Sequence, residues 1–143
     1  MPSIYSFKPR FQKLLLPCAA MLHRTGITAN MVTLFAIFWS ALYGAALYLY
    51  HENRLLFLLL PAVMLVRMAL NALDGMLARD FNQESALGAL LNEVGDVLSD
   101  TFLCLPFAVV VPARPALVVA VIFFSILSEF IGVLGSVIAG SRR

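Results

Sequence analysis

The chain has 143 residues, of which 62% are hydrophobic and only 13% charged. Soluble domains usually carry about 25% charged residues, so this composition excludes a disordered chain and argues against an ordinary soluble domain. Ten basic residues against eight acidic ones is too weak a bias for a nucleic-acid binder, and the two cysteines, Cys18 and Cys104, lie in apolar runs without metal-site or disulfide spacing. The composition is that of a polytopic membrane protein.

The first element is predicted over Phe7 to His23, where Lys8, Arg10 and Lys13 interleave with Phe11, Leu14, Leu15 and Leu16. That pattern reads as an amphipathic helix lying in the headgroup region. A cleaved signal peptide fits less well, because such a peptide segregates its basic and apolar parts and ends in a small-residue cleavage site. Residues 1–26 therefore form a juxtamembrane segment ahead of a membrane domain, 27–143.

A bilayer core of about 30 Å needs about 20 predominantly apolar residues per helix. Residues 31–50 supply one uncharged run, and 55–73 supply a second, broken only by Arg67 and Asn71. A third, 87–111, reaches full length only by including Glu93, Asp96 and Asp100, and a fourth, 116–139, holds Glu129 as its one charge. The expected fold is all-α: a surface helix followed by a bundle of four transmembrane helices. Thr28 or Asn30 stands where the first span needs a cap, and Tyr48 and Tyr50 stand where an interfacial aromatic belt belongs. Pro61 and Pro106 are tolerable inside spans where neighbours satisfy the freed carbonyls.

Basic residues set the orientation. Lys8, Arg10, Lys13, Arg24, Arg79, Arg142 and Arg143 share one side, whereas only Arg54 and Arg114 fall on the other. The positive-inside rule then puts both termini and the Arg79 turn in the cytoplasm of a bacterial inner membrane.

The expensive residues gather near that turn. Asn71, Asp74 and Ala78 are spaced i, i+3, i+7, and Gly88, Asn92 and Asp96 are spaced i, i+4, i+8, so each set occupies one helical face, with Asp100 one turn further. Carboxylates inside a membrane are rare and normally face a bundle interior or a wet cavity. Two such faces joined by a short turn form a cup of hard oxygen donors suited to Mg²⁺ or Mn²⁺. Gly75, Ala78 and Gly88 leave room for a ligand to approach the backbone, and Arg79 stands at the rim as a phosphate partner.

Asp74-Gly75-x2-Ala78-Arg79, followed by eight residues and then Gly88, Asn92 and Asp96, resembles the motif D-x2-D-G-x2-A-R-x8-G-x3-D-x3-D of the CDP-alcohol phosphatidyltransferases. Six of the eight fixed positions match in register, and the entry to the first span, with Asn30 and Thr33, is similar to the family's. The resemblance implies transfer of a phosphoalkyl group from a CDP-alcohol, such as CDP-diacylglycerol, to a hydroxyl acceptor with release of CMP. It implies two divalent metals on the diphosphate, Asp74 as ligand, Asp96 as ligand and general base, and Gly75, Ala78, Arg79 and Gly88 as the nucleotide cradle. The first and third motif aspartates are Asn71 and Asn92 here, whose amide oxygens coordinate without charge. The resemblance also implies a longer fold of six spans, of which this chain corresponds to the earlier part.

Other readings compete. A polar seam between two helices would account for the acids but not for the glycines or the spacing. A catalytically silent or truncated scaffold of the same family fits the two Asp-to-Asn positions and the four spans expected in place of six. A small four-helix exporter would use Glu129, but such exporters lack the cup around Asp74. Gly132, Ser136 and Gly140 form a stripe for close packing, within the chain or in a homodimer.

Overall fold

Residues 7–110 and 114–140 are described in the computed structural model. Their elements are α1 (Phe7–Arg24), α2 (Ala29–Leu49), α3 (Arg54–Asp80), α4 (Ala86–Cys104), a 3₁₀ turn (Leu105–Val109) and α5 (Pro115–Gly140). The all-helical expectation is met. Three of the four expected spans, α2, α3 and the Pro115–Gly135 part of α5, are long and apolar enough to cross a membrane. The exception is α4, whose 19 residues include Glu93, Asp96 and Asp100. Part of the topology reading, Arg142, Arg143 and the turn at 112–113, lies outside the described residues.

Helix ends differ from the expected boundaries for local reasons. The second span was expected to stop at Leu73, where the apolar run ends, but α3 continues to Asp80, because polar residues end a hydropathy run without ending a helix. α3 closes in a Schellman turn, with Asn82 at φ 54° and the Gln83 amide donating to the Ala78 carbonyl at 2.9 Å. α1 ends in the same way, with Gly26 at φ 80° and the Ile27 amide bonded to the Leu22 carbonyl at 3.0 Å. The Thr28 hydroxyl accepts from the Met31 amide at 3.3 Å, so Thr28, of the two candidates, caps α2. Asn53 and Ser85 cap α3 and α4 by accepting from the Leu55 and Gly88 amides at 3.0 and 2.9 Å.

Two compact units divide the chain: residues 1–38 with 59–95, and residues 39–58 with 96–143. In the first, Ala19, Ala29, Val32, Leu73, Met76 and Leu77 form a buried cluster, against which Leu15 and Leu22 pack. Leu15, Ala19 and Leu22 are spaced i, i+4, i+7, so one stripe of α1 faces protein while Leu16 and Met21 stay exposed. Helix α2 is buried along Ala29, Val32, Thr33, Ala36, Ser40, Gly44 and Leu47, a stripe dominated by small residues as close packing in a membrane requires.

In the second unit, the third expected span breaks where proline intervenes. Pro106 has no N–H to donate to the Phe102 carbonyl, so the α-helix ends at Cys104 and tightens into the 3₁₀ turn. Gly44 of α2 lies against that Phe102 carbonyl so closely that a Cβ at position 44 would overlap its oxygen. The Tyr43 hydroxyl donates to the Leu56 carbonyl, one residue before Phe57, whose usual helical donor is missing at Pro61. The apolar stretch of α5 buries nothing within the described residues, and added Cβ atoms at Gly132, Gly135 and Gly140 would meet nothing within 4 Å. The side chain of Ser136, in the expected packing stripe, is outside the description.

Gly44→Ala should therefore destabilise the protein by about 1–3 kcal/mol, the usual range for overpacking against backbone. Gly132→Ala, made in open space, should be near neutral. Thermal unfolding of the two variants in detergent checks this, and equal midpoints would overturn the packing account.

Candidate functional site

The site is built from four helices in the first unit, α1 to α4. A carboxylate in an apolar cluster needs a strong donor to offset its lost hydration, and Asp74 is only 3% exposed among Leu73, Met76 and Leu77. The Thr33 hydroxyl of α2 donates to Asp74 Oδ2 at 2.8 Å; it also lies 3.2 Å from the Ala29 carbonyl, but one proton serves one acceptor at a time, and the carboxylate is nearer and charged.

The start of α2 is pinned from the α3–α4 turn. The Ala29 amide donates to Gln83 Oε1 at 2.7 Å, and Gln83 Nε2 lies 3.3 Å from His23 Nδ1. The His23 ring stacks on Phe81 with centroids 4.5 Å apart. One glutamine thus ties the end of α1, the start of α2 and the turn after α3.

Beside this tie opens a cleft of about 1320 Å³. Asn71, Asp74, Gly75, Ala78 and Arg79 of α3 line it, as do Gly88 and Asn92 of α4. The i, i+3, i+7 face expected from sequence is thus the cleft face of α3. Arg79 lies over Gly75, its Nη1 atom 3.3 Å from where a Cβ on that glycine would sit. A Cβ on Gly88 would stand 2.8 Å from Asn30 Oδ1 and 2.9 Å from Ser85 Oγ, so the glycine admits the Asn30 amide to the cleft wall.

Asp96 does not line this cleft. It borders a cavity of about 30 Å³ in the second unit, with Asp100, Thr101, Ser125 and Glu129 among its neighbours. Sequence reasoning also missed Arg10 and Gln12, which α1 contributes to the cleft wall. The basic pattern of α1 was visible, but nothing local to it indicates a cleft.

The charged residues lining the cleft are Arg10 and Arg79 against Asp74, Glu84 and Glu93. Its motif donors are all oxygens, one carboxylate and two amides, a chemistry that fits a hard divalent cation. No group of three or more His, Cys, Asp or Glu side chains placed to hold a metal occurs among the described residues. The cleft can therefore accommodate a phosphorylated ligand, with arginines for its anionic oxygens, and the space at Gly75 and Gly88 is taken by Arg79 and by Asn30 and Ser85.

Comparison with known proteins places this geometry. The chain matches the family described as CDP-alcohol phosphatidyltransferase over residues 26–142. It is 49% identical over 140 residues to the inner membrane protein YnbA of Escherichia coli (strain K12), covering 98% of this chain and 69% of that protein. It is 34% identical over 100 residues to an uncharacterized protein of Aquifex aeolicus (strain VF5), covering 70% of this chain and 47% of that one. No solved structure matches.

The bond from Thr33 to Asp74 predicts a specific stability pattern. Thr33→Val deprives a buried carboxylate of its donor and should lower stability by about 1–3 kcal/mol, whereas Thr33→Ser should retain most of it. In an Asp74→Asn background the Val substitution should cost less. A double-mutant cycle by thermal unfolding in detergent checks this, and additive losses would show that the two side chains are not coupled.

Proposed function

This chain belongs to the CDP-alcohol phosphatidyltransferase family, and on that premise we propose that it binds a CDP-alcohol in the first-unit cleft and transfers its phosphoalkyl group to a hydroxyl acceptor, releasing CMP. The observation that carries this reading is the gathering of Asp74, Gly75, Ala78, Arg79 and Gly88, five of the six matched motif positions, on the walls of one cleft. CDP-diacylglycerol is a donor consistent with a membrane setting, and the cytoplasmic placement of cleft and termini rests on the distribution of basic residues.

In this reading the guanidinium of Arg79 binds diphosphate oxygens, which a planar two-pronged donor does well. Gly75 and Gly88 give room to the Arg79 guanidinium and the Asn30 amide, which brings both polar groups to the cleft wall with Ala78. Asn71, Asp74 and Asn92 are the residues that would hold Mg²⁺ or Mn²⁺, whose chemistry when bound is to offset charge on the diphosphate. Asp96, assigned by its motif position on α4, accepts the proton of the acceptor hydroxyl. The hydroxyl oxygen then bonds to the phosphorus of the phosphoalkyl group, the bond from that phosphorus to CMP breaks, and CMP leaves with the electron pair.

A second reading is supported by Asn71 and Asn92: a silent member of the family that binds the nucleotide without transfer. The two are separated by a CMP-release assay on the full chain in proteoliposomes with CDP-diacylglycerol and a panel of alcohols. Transfer predicts CMP release above background that Asp96→Asn lowers by about 10²-fold or more, the scale of a lost general base, with CDP binding unchanged. CDP binding with no CMP release for any alcohol supports the silent reading.

A further inference from the structure

We infer that the first-unit cleft takes a single divalent cation, and takes it only together with the diphosphate of its ligand, in contrast to the pair of ions that the family motif implies. This inference rests on the nucleotide-binding reading above and concerns what Asn71 and Asn92 do to it.

The argument is one of charge and donor number. Of the four motif positions that would ligate metal, the cleft wall presents three, Asn71, Asp74 and Asn92, and only Asp74 carries charge. Thr33 already donates to one oxygen of that carboxylate, at 2.8 Å. Among the described residues no three His, Cys, Asp or Glu side chains converge as a metal cage. The remaining acids on the cleft wall, Glu84 and Glu93, are opposed in number by Arg10 and Arg79, so the wall as a whole is negative by one charge.

Mg²⁺ demands near-octahedral oxygen coordination, gives up water reluctantly, and is usually held through one or two carboxylates plus substrate phosphates. One carboxylate and two amides meet that description for one ion once a diphosphate supplies the remaining anionic oxygens. They do not meet it for two ions, whose four positive charges would face only two motif carboxylates, Asp74 and Asp96, where the family motif has four. Each asparagine keeps the oxygen donor of an aspartate in nearly the same volume and removes its charge, so the shape of a ligand cup survives while its affinity for a bare cation falls.

The test is Mn²⁺ binding to the full chain in detergent micelles, read by electron paramagnetic resonance with and without cytidine 5′-diphosphate, alongside dialysis of labelled cytidine 5′-diphosphate with and without Mn²⁺. The expectation is one protein-bound Mn²⁺ per chain with nucleotide, and binding weaker by about tenfold or more without it. The Asn71→Asp and Asn92→Asp variants, singly and together, should recover nucleotide-independent Mn²⁺ binding by a similar factor. Two ions per wild-type chain, or equal nucleotide-free affinities for wild type and the double variant, overturn the inference while leaving nucleotide binding standing. Failure of the nucleotide to bind under either condition overturns the nucleotide reading itself, and this inference with it. The stoichiometry on wild-type protein needs no substitution, so it decides the matter even where a variant folds poorly.

Discussion

Burial of the Asp74 carboxylate constrains the first unit more than any other feature. The side chain is 3% exposed beside Leu73 and Leu77, a placement that is unfavourable for a charge unless a donor is fixed in front of it. Thr33 is that donor, and its position along α2 depends on where α2 begins. The beginning is set twice, by the Thr28 hydroxyl on the Met31 amide and by Gln83 on the Ala29 amide. Gln83 is in turn delivered by the Schellman turn at Asn82 that ends α3, the helix holding Asp74. The loop closes on itself: the helix that buries the acid also presents the residue that registers its partner.

The second unit answers a different constraint, the accounting of backbone carbonyls in a medium without water. A proline in a membrane helix frees a carbonyl, and lipid offers it nothing. Gly44 lets α2 approach the Phe102 carbonyl that Pro106 strands, so closely that a side chain at position 44 would overlap its oxygen. The same glycine in open surroundings, as at Gly132, has no such role. A glycine within a span is thus informative only together with what lies opposite it.

Much of this was legible from residue spacing. The helical class followed from composition, and the cleft face of α3 followed from Asn71, Asp74 and Ala78 at helical intervals, because spacing determines which side chains share a face. Depth along the axis is another matter. Gly88 and Asp96 share a face of α4 but stand two turns apart, about 12 Å at 1.5 Å per residue, and they border different cavities. The bond between Thr33 and Asp74 joins residues 41 apart in sequence, and no local pattern announces such a pair. The packing of Leu15, Ala19 and Leu22 against the protein core was hidden for a related reason: an apolar stripe on a surface helix looks the same whether lipid or protein covers it. The break at Cys104 was signalled by Pro106, but hydropathy, which counts side chains and ignores N–H groups, runs straight through it.

Family membership and site chemistry are separate statements about this chain. Fold and motif spacing depend on volume, helix register and hydrogen bonding, all of which an asparagine in place of an aspartate preserves. Metal affinity depends on charge, which the same replacement removes. The match over residues 26–142 therefore speaks to the shape of the cleft, and Asn71 and Asn92 speak to its electrostatics. A ligand bringing its own negative charge restores what the amides lack, whereas a bare cation meets a wall with a single motif carboxylate already engaged by Thr33. On the proposed reading, diphosphate and metal strengthen each other at such a site, because coupling between two bound ligands is reciprocal.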